Sequence, residues 1–194
     1  MDRFEVIAAG FSGDTALARS ALGDPVASVR TSALRALARA GGLSDDDLRS
    51  ATRDGSADVR RTAAELSAAR PGVDIHALID DDDVFVAEMA AWALGERPEA
   101  TDEEIAALVT ACGAHREPLV REACAAALGS IGDPRGLDAI IAACKDKPTV
   151  RRRAVLALAP FTDDPRVEAV LRAALEDRDW QVRQNAEDLL NPRY

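Results

Sequence analysis

Apolar and small residues recur along this chain at helical spacing, and one arrangement of them returns six times. Each copy begins with a Val, has a small residue four positions later, and has small or Leu residues at seven and eight. Steps of four and then three or four residues put these positions on one face of an α-helix. The copies begin at Val29, Val59, Val86, Val120, Val150 and Val182. We therefore predict six amphipathic helices, one for each Val.

A second apolar pattern lies between these helices and predicts a partner helix for each of them. In the fourth interval it comprises Ile105, Leu108-Val109 and Cys112. The predicted starts of these helices carry capping residues, such as Ser44 followed by Asp47 and the capping box of Thr101 with Glu104. Asp133-Pro134 and Asp164-Pro165 are further predicted starts.

Breaker residues predict where the helices end, and together the signals divide the chain into helical hairpins. Predicted stops are Gly41-Gly42, Pro71-Gly72, Gly129, Pro160 and Asn191-Pro192. The hairpins are expected at about 14–41, 44–70, 74–96, 101–131, 135–160 and 165–191. Residues 2–9 are expected to form a short helix that covers the first hairpin with Phe4 and Ile7. No strand-length alternation remains, so the predicted fold is all-α and the whole chain 1–194 is one domain.

Polar positions beside each Val make the pattern more specific. An Asp stands five residues before the Val at Asp24, Asp54, Asp81 and Asp177, and an Arg follows five of the six Val residues. From about Asp14 to Leu190 the chain resembles HEAT repeats of the short bacterial type, also found in phycobilisome-lyase-like proteins. The resemblance implies a right-handed α-solenoid (superhelix) of about six HEAT-like hairpins, in which the Asp and Arg side chains form a polar ladder through successive turns. His115 and Lys145 replace the Asp and Ala87 replaces the Arg, so we expect a broken ladder in the middle of the stack.

Composition and charge limit the partners of such a solenoid. Hydrophobic residues make up 47% of the chain but aromatic residues only 4%, so the core is built from Ala, Leu, Val and Ile. The 34 acidic and 24 basic residues give a net charge of −10. Such a surface repels nucleic acid and anionic membranes at long range and favours either solubility or basic partners. We therefore expect neither nucleic acid nor a membrane as the partner.

Cysteine usage and the N-terminal sequence indicate the cytoplasm. Cys112, Cys124 and Cys144 are odd in number and form no C-x-x-C motif, and each lies on a predicted apolar helix face. We expect buried free thiols. The first residues lack the basic region and apolar stretch of a signal peptide, and no run approaches the roughly 18 apolar residues of a membrane span.

Binding in such stacks usually uses the concave surface lined by the second helix of each hairpin. Residues two and six positions after each Val are expected to project there. The central members of this set form our candidate binding site: Arg61, Glu65, Glu88, Trp92, Glu122 and Arg152. Trp is a frequent binding anchor on mixed-charge surfaces. Two interpretations of Trp92 stay open, because the alternative is that it packs over the interrupted ladder at Ala87 and the short third hairpin. We expect Trp180 to pack in the turn before the last helix.

Two charged runs are interpreted as structural. Asp80-Asp81-Asp82-Asp83 lacks the alternating ligands and Gly turn of a calcium loop and is expected to be a solvated turn. Arg151-Arg152-Arg153 cannot form one patch, because three consecutive residues spread over roughly 200° of a helix. We expect one of them to belong to the polar ladder and the others to be solvated.

The sequence favours a scaffold or adaptor that binds a protein or peptide on its concave face, as a monomer or weak homodimer. We assign no catalytic residues, metal or cofactor. One alternative is a HEAT-like DNA-binding or DNA-glycosylase-type module, although the calculated isoelectric point of 4.7 opposes phosphate binding. A second alternative is a bilin-lyase-like or other small-molecule enzyme. Deoxyhypusine hydroxylase resembles the architecture, but its iron-binding His-Glu pairs are missing, since Ala77 follows His76 and Arg116 follows His115.

Overall fold

The computed structural model describes residues 1–191, and this part of the chain consists of twelve α-helices and short 3-10 turns without any β-strand. The N-terminal helix is α1 (Arg3–Ser12). The first helices of the hairpins are α2 (Thr15–Ser20), α4 (Asp45–Ala51), α7 (Asp102–Ala114), α9 (Leu137–Ala143) and α11 (Pro165–Ala174). The second helices are α3 (Ala27–Arg39), α5 (Ala57–Ser67), α6 (Val84–Gly95), α8 (Pro118–Ile131), α10 (Pro148–Ala157) and α12 (Trp180–Leu190).

The helices begin where side chains can satisfy their free backbone N–H groups. Ser44 and Thr101 both complete capping boxes, at the starts of α4 and α7. Asp164 precedes the proline that begins α11, and its side chain accepts a hydrogen bond from the Arg166 N–H. At its far end α8 finishes on Gly132, whose φ of 68° is the left-handed conformation that glycine adopts most easily. The predicted stop at Pro192 lies outside the described residues.

The hairpins stack so that first and second helices form two layers with the core between them. The N-terminal helix α1 packs on α3, and each second helix packs on the next one along the chain, up to α10 and α12. The six repeated Val residues are all buried, and so are the Leu residues eight positions after four of them: Leu37, Leu94, Leu128 and Leu158. This is the α-solenoid architecture that the periodicity predicts, because each hairpin buries its apolar face against the next.

A ladder of ion pairs runs along the stack, and each Arg contacts the Asp of the following turn. Its pairs are Arg30–Asp54 at 2.6 Å, Arg60–Asp81 at 2.7 Å, Arg121–Asp146 at 2.6 Å and Arg151–Asp177 at 2.8 Å. Lys145 stands at the usual Asp position, and the neighbouring Asp146 forms the ion pair with Arg121 instead. The expected break is confirmed only between α6 and α8, where both Ala87 and His115 depart from the pattern.

The third hairpin has no α-helical first member. A short 3-10 segment, His76–Asp80, stands where the sequence pattern of Ile75 and Leu78-Ile79 predicts a helix. Arg97 lies two residues after the end of α6, and its side chain pairs with Glu104 inside the protein. The Arg97 guanidinium also donates a hydrogen bond to the carbonyl of Val73 at 2.6 Å. The ion pair is almost fully buried, with Arg97 5% and Glu104 4% exposed.

Three glycines allow neighbouring helices of the α1 and second-helix layer to approach closely. A Cβ on Gly95 would lie 2.7 Å from the Ala127 Cα, and one on Gly129 would lie 2.6 Å from the Ala157 Cβ. A Cβ on Gly10 would lie 2.7 Å from the Ala36 Cα. The prediction that Gly129 stops a helix is wrong, because Gly129 lies inside α8 and serves its contact with α10.

Two aromatic residues lie elsewhere than predicted. Phe4 is 78% exposed and does not cover the first hairpin, since the buried face of α1 consists of Val6, Ala9 and Gly10. Trp180 is the first residue of α12 and is 64% exposed, so it is not packed in the preceding turn.

The three cysteines are free thiols, with Cys112 in α7, Cys124 in α8 and Cys144 directly after α9. Cys112 and Cys124 are buried and Cys144 is partly buried. Their helix faces are the apolar faces that the sequence pattern indicates. Across residues 1–191, no helix has the length and apolar character needed to cross a membrane.

Candidate functional site

A cavity of about 620 Å³ opens along the surface of four consecutive second helices. Most of its lining comes from α6 and α8, while Glu65 of α5 and Arg153 of α10 lie at its borders. Four of the six predicted site residues line it: Glu65, Glu88, Trp92 and Glu122. The repeat stacking brings these residues together because equivalent positions of successive second helices project from the same side of the stack.

The α6 side of the cavity is a stripe of two carboxylates and one indole. Glu88, Trp92 and Glu96 follow one another at intervals of four residues, and Glu96 caps the C-terminus of α6 in helical conformation, which places the three one above the other. Trp92 is 44% exposed although its helix neighbours Ala91 and Ala93 are completely buried. Its ring is therefore only partly used for packing, and a large apolar surface faces the cavity.

The α8 side consists largely of small side chains. Ala123, Ala126, Ala127 and Ser130 line the cavity together with Leu119 and Glu122. Small residues there leave the space beside the α6 stripe open, which is why a cavity exists between two helices that approach so closely at Gly95 and Ala127.

The cavity is negatively charged, since four of its lining residues are acidic and only Arg153 is basic. The Glu65 carboxylate already accepts hydrogen bonds from Arg35, at 2.6 and 2.9 Å. Glu122 and Arg153 lie 3.8 Å apart. Within residues 1–191, Glu88 and Glu96 take part in no ion pair or side-chain hydrogen bond. Two carboxylates beside Trp92 are thus without a protein partner in the described part of the chain.

Arg61 and Arg152, the two predicted basic residues of the site, do not line this cavity. Arg61 lies 3.6 Å from Asp58 on its own helix. Arg152 donates hydrogen bonds of 2.6 and 2.8 Å to Asp179 and lines a smaller neighbouring cavity of about 270 Å³. The Arg152 guanidinium lowers the pKa of the Asp179 carboxyl, because its hydrogen bonds stabilise the charged form.

The side chains of the run Arg151-Arg152-Arg153 contact three different acidic residues. Arg151 is the ladder residue, as predicted for one of the three, and pairs with Asp177. The expectation that the other two are only solvated is wrong, because Arg152 pairs with Asp179 and Arg153 borders the cavity near Glu122. Helical geometry separates the three directions, so no common basic patch forms.

The run Asp80-Asp81-Asp82-Asp83 supplies two structural groups. Asp81 accepts hydrogen bonds from Arg60, and Asp83 caps the N-terminus of α6 through the N–H groups of Phe85 and Val86. Asp80 and Asp82 are exposed. Among the described residues no group of three or more His, Cys, Asp or Glu side chains is arranged to hold a metal ion.

Sequence reasoning missed Glu96 and Arg153 as members of the site. Glu96 stands ten positions after its Val, one helical step beyond the two positions that we considered, and extending the interval of four residues would have found it. Arg153 stands three positions after its Val, a position that is buried or partly buried in most other copies. No local signal distinguishes it.

Two family models match the chain. The model described as HEAT repeats matches residues 74–159, and the model described as PBS lyase HEAT-like repeat matches residues 150–177. Together they cover 74–177, which is more than half of the 194 residues and includes both walls of the cavity. No curated protein matches the chain in sequence.

Solved structures with the same architecture are distant in sequence. An engineered protein from the Northeast Structural Genomics Consortium is 20% identical with a TM-score of 0.65, over 91% of this chain and 97% of that chain. A designed armadillo repeat protein in complex with peptide (KR)4 is 18% identical with a TM-score of 0.62, over 90% of this chain and 97% of that one. Human deoxyhypusine hydroxylase in complex with glycerol is 21% identical with a TM-score of 0.50, over 95% of this chain and 76% of that enzyme.

At these identities the structural likeness concerns the fold, whereas the family matches concern the sequence of the repeats themselves. The matched segments contain the periodic Val, the small residue four positions later and the ladder pairs Arg121–Asp146 and Arg151–Asp177. The chain belongs to the HEAT-repeat proteins.

Proposed function

We propose that this protein is a scaffold or adaptor that binds a protein or peptide in the cavity between α6 and α8. The observation that carries the proposal is the position of Trp92, a 44%-exposed indole in a cavity of about 620 Å³. Cavities of this size with an apolar anchor and a few polar groups are typical of binding sites. Exposed Trp side chains contribute strongly to protein interfaces because they bury a large area at little entropic cost.

The architecture supports the same proposal. Stacked helical hairpins produce a long continuous surface that an extended segment can follow over several repeats. The designed armadillo repeat protein that shares the fold was solved with a peptide bound. In this chain the cavity likewise extends over successive second helices, from Glu65 of α5 to Arg153 of α10.

The charges of the cavity argue against the two alternative functions. Glu65, Glu88, Glu96 and Glu122 oppose the approach of a nucleic-acid phosphate, so a DNA-binding module is not supported. The cavity lining contains the Ser130 hydroxyl and four Glu carboxylates but no His, Cys or Lys, and within residues 1–191 Ser130 makes no side-chain hydrogen bond to any of these carboxylates, so no activated nucleophile is formed there. Binding without chemistry is the function that these residues support best.

The proposal can be tested with peptides selected for binding from a displayed random library. We expect the double variant Trp92→Ala with Glu88→Arg to bind the selected peptides at least about tenfold more weakly than the unchanged protein, because it removes the anchor and reverses a charge. The matched control is Trp180→Ala with Glu103→Arg, which loses an exposed Trp and changes the net charge equally but lies outside the cavity.

The control variant should bind as well as the unchanged protein. Equal weakening of both double variants would show that the selected peptides bind elsewhere or only through net charge, and the site assignment would then be abandoned. Circular dichroism of each variant verifies that the helical fold is retained.

A further inference from the structure

The Glu88 and Glu96 carboxylates and the Trp92 indole form a recognition site for one kind of side chain. We propose that the cavity takes an Arg or Lys side chain from an extended basic peptide segment, with its cationic group against Trp92 and between the two carboxylates. The inference rests on the proposed function and names the chemistry of the partner that the site accepts.

The spacing on α6 provides the geometry for a cation. Residues four apart on a helix have Cβ atoms about 5–6 Å from one another, so a carboxylate stands one turn to either side of the indole. An ammonium or guanidinium group over an indole gains from the negative face of the ring. Two carboxylates that lack a protein partner can add charge-assisted hydrogen bonds to the same group.

The α8 side of the cavity suits the stem of such a residue. Ala123 and Ala126 are half-buried and apolar, and Ala127 is fully buried behind them. Lys and Arg pack their methylene stems on apolar surface while the charged group stays near polar partners. A long basic side chain therefore complements both walls, with its stem along α8 and its charge toward α6.

Net charge strengthens this preference over an apolar or acidic partner. The four acidic residues of the cavity outnumber its one basic residue, and the whole chain carries −10. An acidic peptide would meet unpaired carboxylates of the same sign, and an uncharged one would desolvate Glu88 and Glu96 without compensation.

Arg153 provides an internal reporter of the sign of the ligand charge. Its guanidinium lies 3.8 Å from Glu122 at the border of the cavity, with no other ion-pair partner among the described residues. A cationic ligand is repelled by Arg153, whereas an anionic ligand would use it. Arg153→Gln should therefore tighten the binding of a basic peptide by about twofold to fivefold, the range of one partly exposed charge contact.

The experiment uses the full chain carrying Trp180→Phe, so that Trp92 is the single tryptophan and its fluorescence reports on the cavity. The probes are three short peptides without tryptophan in which Leu alternates with Arg, with Gln or with Glu. At low ionic strength we expect the Arg peptide to change the Trp92 emission in a saturable way, and the Gln and Glu peptides to bind at least about tenfold more weakly.

Charge variants then locate the contact. Glu88→Gln and Glu96→Gln should each weaken the Arg peptide by about threefold to tenfold. Glu103→Gln is the matched control, because it removes the same charge from an exposed position of α7 that does not line the cavity. Equal effects of all three variants would mean attraction to net charge alone and would overturn the inference.

The remaining outcomes separate this inference from the proposed function. If the Gln or Glu peptide binds at Trp92 as tightly as the Arg peptide, or if Arg153→Gln weakens the Arg peptide, the cationic side chain is wrong while binding in the cavity stands. If none of the three peptides changes the Trp92 emission up to millimolar concentration, and library selection also yields no ligand sensitive to Trp92, both proposals fail together.

Discussion

Arg121 donates two hydrogen bonds to the Asp146 carboxylate, from Nε at 2.6 Å and from Nη2 at 2.8 Å. In the other pairs of the ladder the Asp stands five residues before the repeated Val, but Asp146 stands four residues before Val150. The long Arg side chain accommodates this shift of one position. Within the described residues the ladder is therefore interrupted only where Ala87 and His115 remove both members of the pair.

The ladder should make folding stability sensitive to acid. Hydrogen bonds from Arg side chains lower the pKa of Asp54, Asp81, Asp146 and Asp177. The unfolded Asp carboxyl has a pKa of about 3.9, so the folded state binds fewer protons near and below that value. The stabilisation is fully present at neutral pH and is lost as the pH falls through the lowered folded pKa values.

Asp146→Asn tests this relationship by urea unfolding at two pH values. At pH 7 we expect the variant to be less stable by about 1 kcal/mol, and at about pH 3 we expect the difference to shrink. The control Asp163→Asn removes one charge from an exposed residue outside the ladder. A constant difference at both pH values would contradict a contribution from the Asp146 ionisation.

The buried pair of Arg97 and Glu104 should be the most sensitive ion pair of the described chain. Arg97→Met leaves the buried Glu104 carboxylate without its cation, and such one-sided changes cost about 3–5 kcal/mol. Arg166→Met removes the exposed pairs with Asp138 and Asp164 and should cost only about 0–1 kcal/mol. Thermal unfolding of both variants gives the comparison, and similar losses would mean that burial does not control the energy of these pairs.

Combining Arg97→Met with Glu104→Gln completes a double-mutant cycle. We expect the double variant to lose about 1–3 kcal/mol less free energy of unfolding than the two single variants together, because neutral Gln does not require the missing cation. Additive losses would indicate that the two side chains contribute independently.

Gly95→Ala separates helix propensity from packing. Alanine is favoured over glycine inside a helix by about 1 kcal/mol, yet the new Cβ would lie 2.7 Å from the Ala127 Cα. The contact is with backbone, so we expect a net loss of about 1–3 kcal/mol in the free energy of unfolding. Gly113→Ala is the control, since nothing lies within 4 Å of its Cβ position in α7, and it should leave stability unchanged or slightly higher. Stabilisation by both substitutions would refute the close approach.

The three thiols should be unreactive in the folded protein. Burial raises the pKa of Cys112 to about 11 and that of Cys144 to about 12, and it raises the pKa of Cys124 as well. The thiolate is the nucleophile, so iodoacetamide at pH 8 should modify the folded chain slowly and all three cysteines rapidly in urea. Mass spectrometry should find Cys144 modified first, because it alone is partly exposed. Modification of Cys124 before Cys144 would contradict the packing described above.

Helical period predicts which side chains leave the core, but it does not predict which distant residues they contact. Positions two and six after each Val led to Glu88 and Trp92 because helical period decides which residues leave the core. The same rule selected Arg152, but that side chain turns to Asp179, which stands 27 residues later at the start of the next second helix. A partner at such a distance in sequence depends on the rotation between hairpins, and periodicity contains no information about that rotation.

Repetition of apolar positions determined the all-α class and the stacked hairpins, because both depend on which face of a helix must be buried. The resemblance to HEAT repeats added most members of the polar ladder. Tertiary structure alone decided that Arg97 reaches Glu104 and the Val73 carbonyl, that Gly129 serves a helix contact, and that Phe4 faces solvent. These outcomes follow from the distance and angle between neighbouring helices. They are set by the fit of many side chains at once and not by the pattern of any single helix.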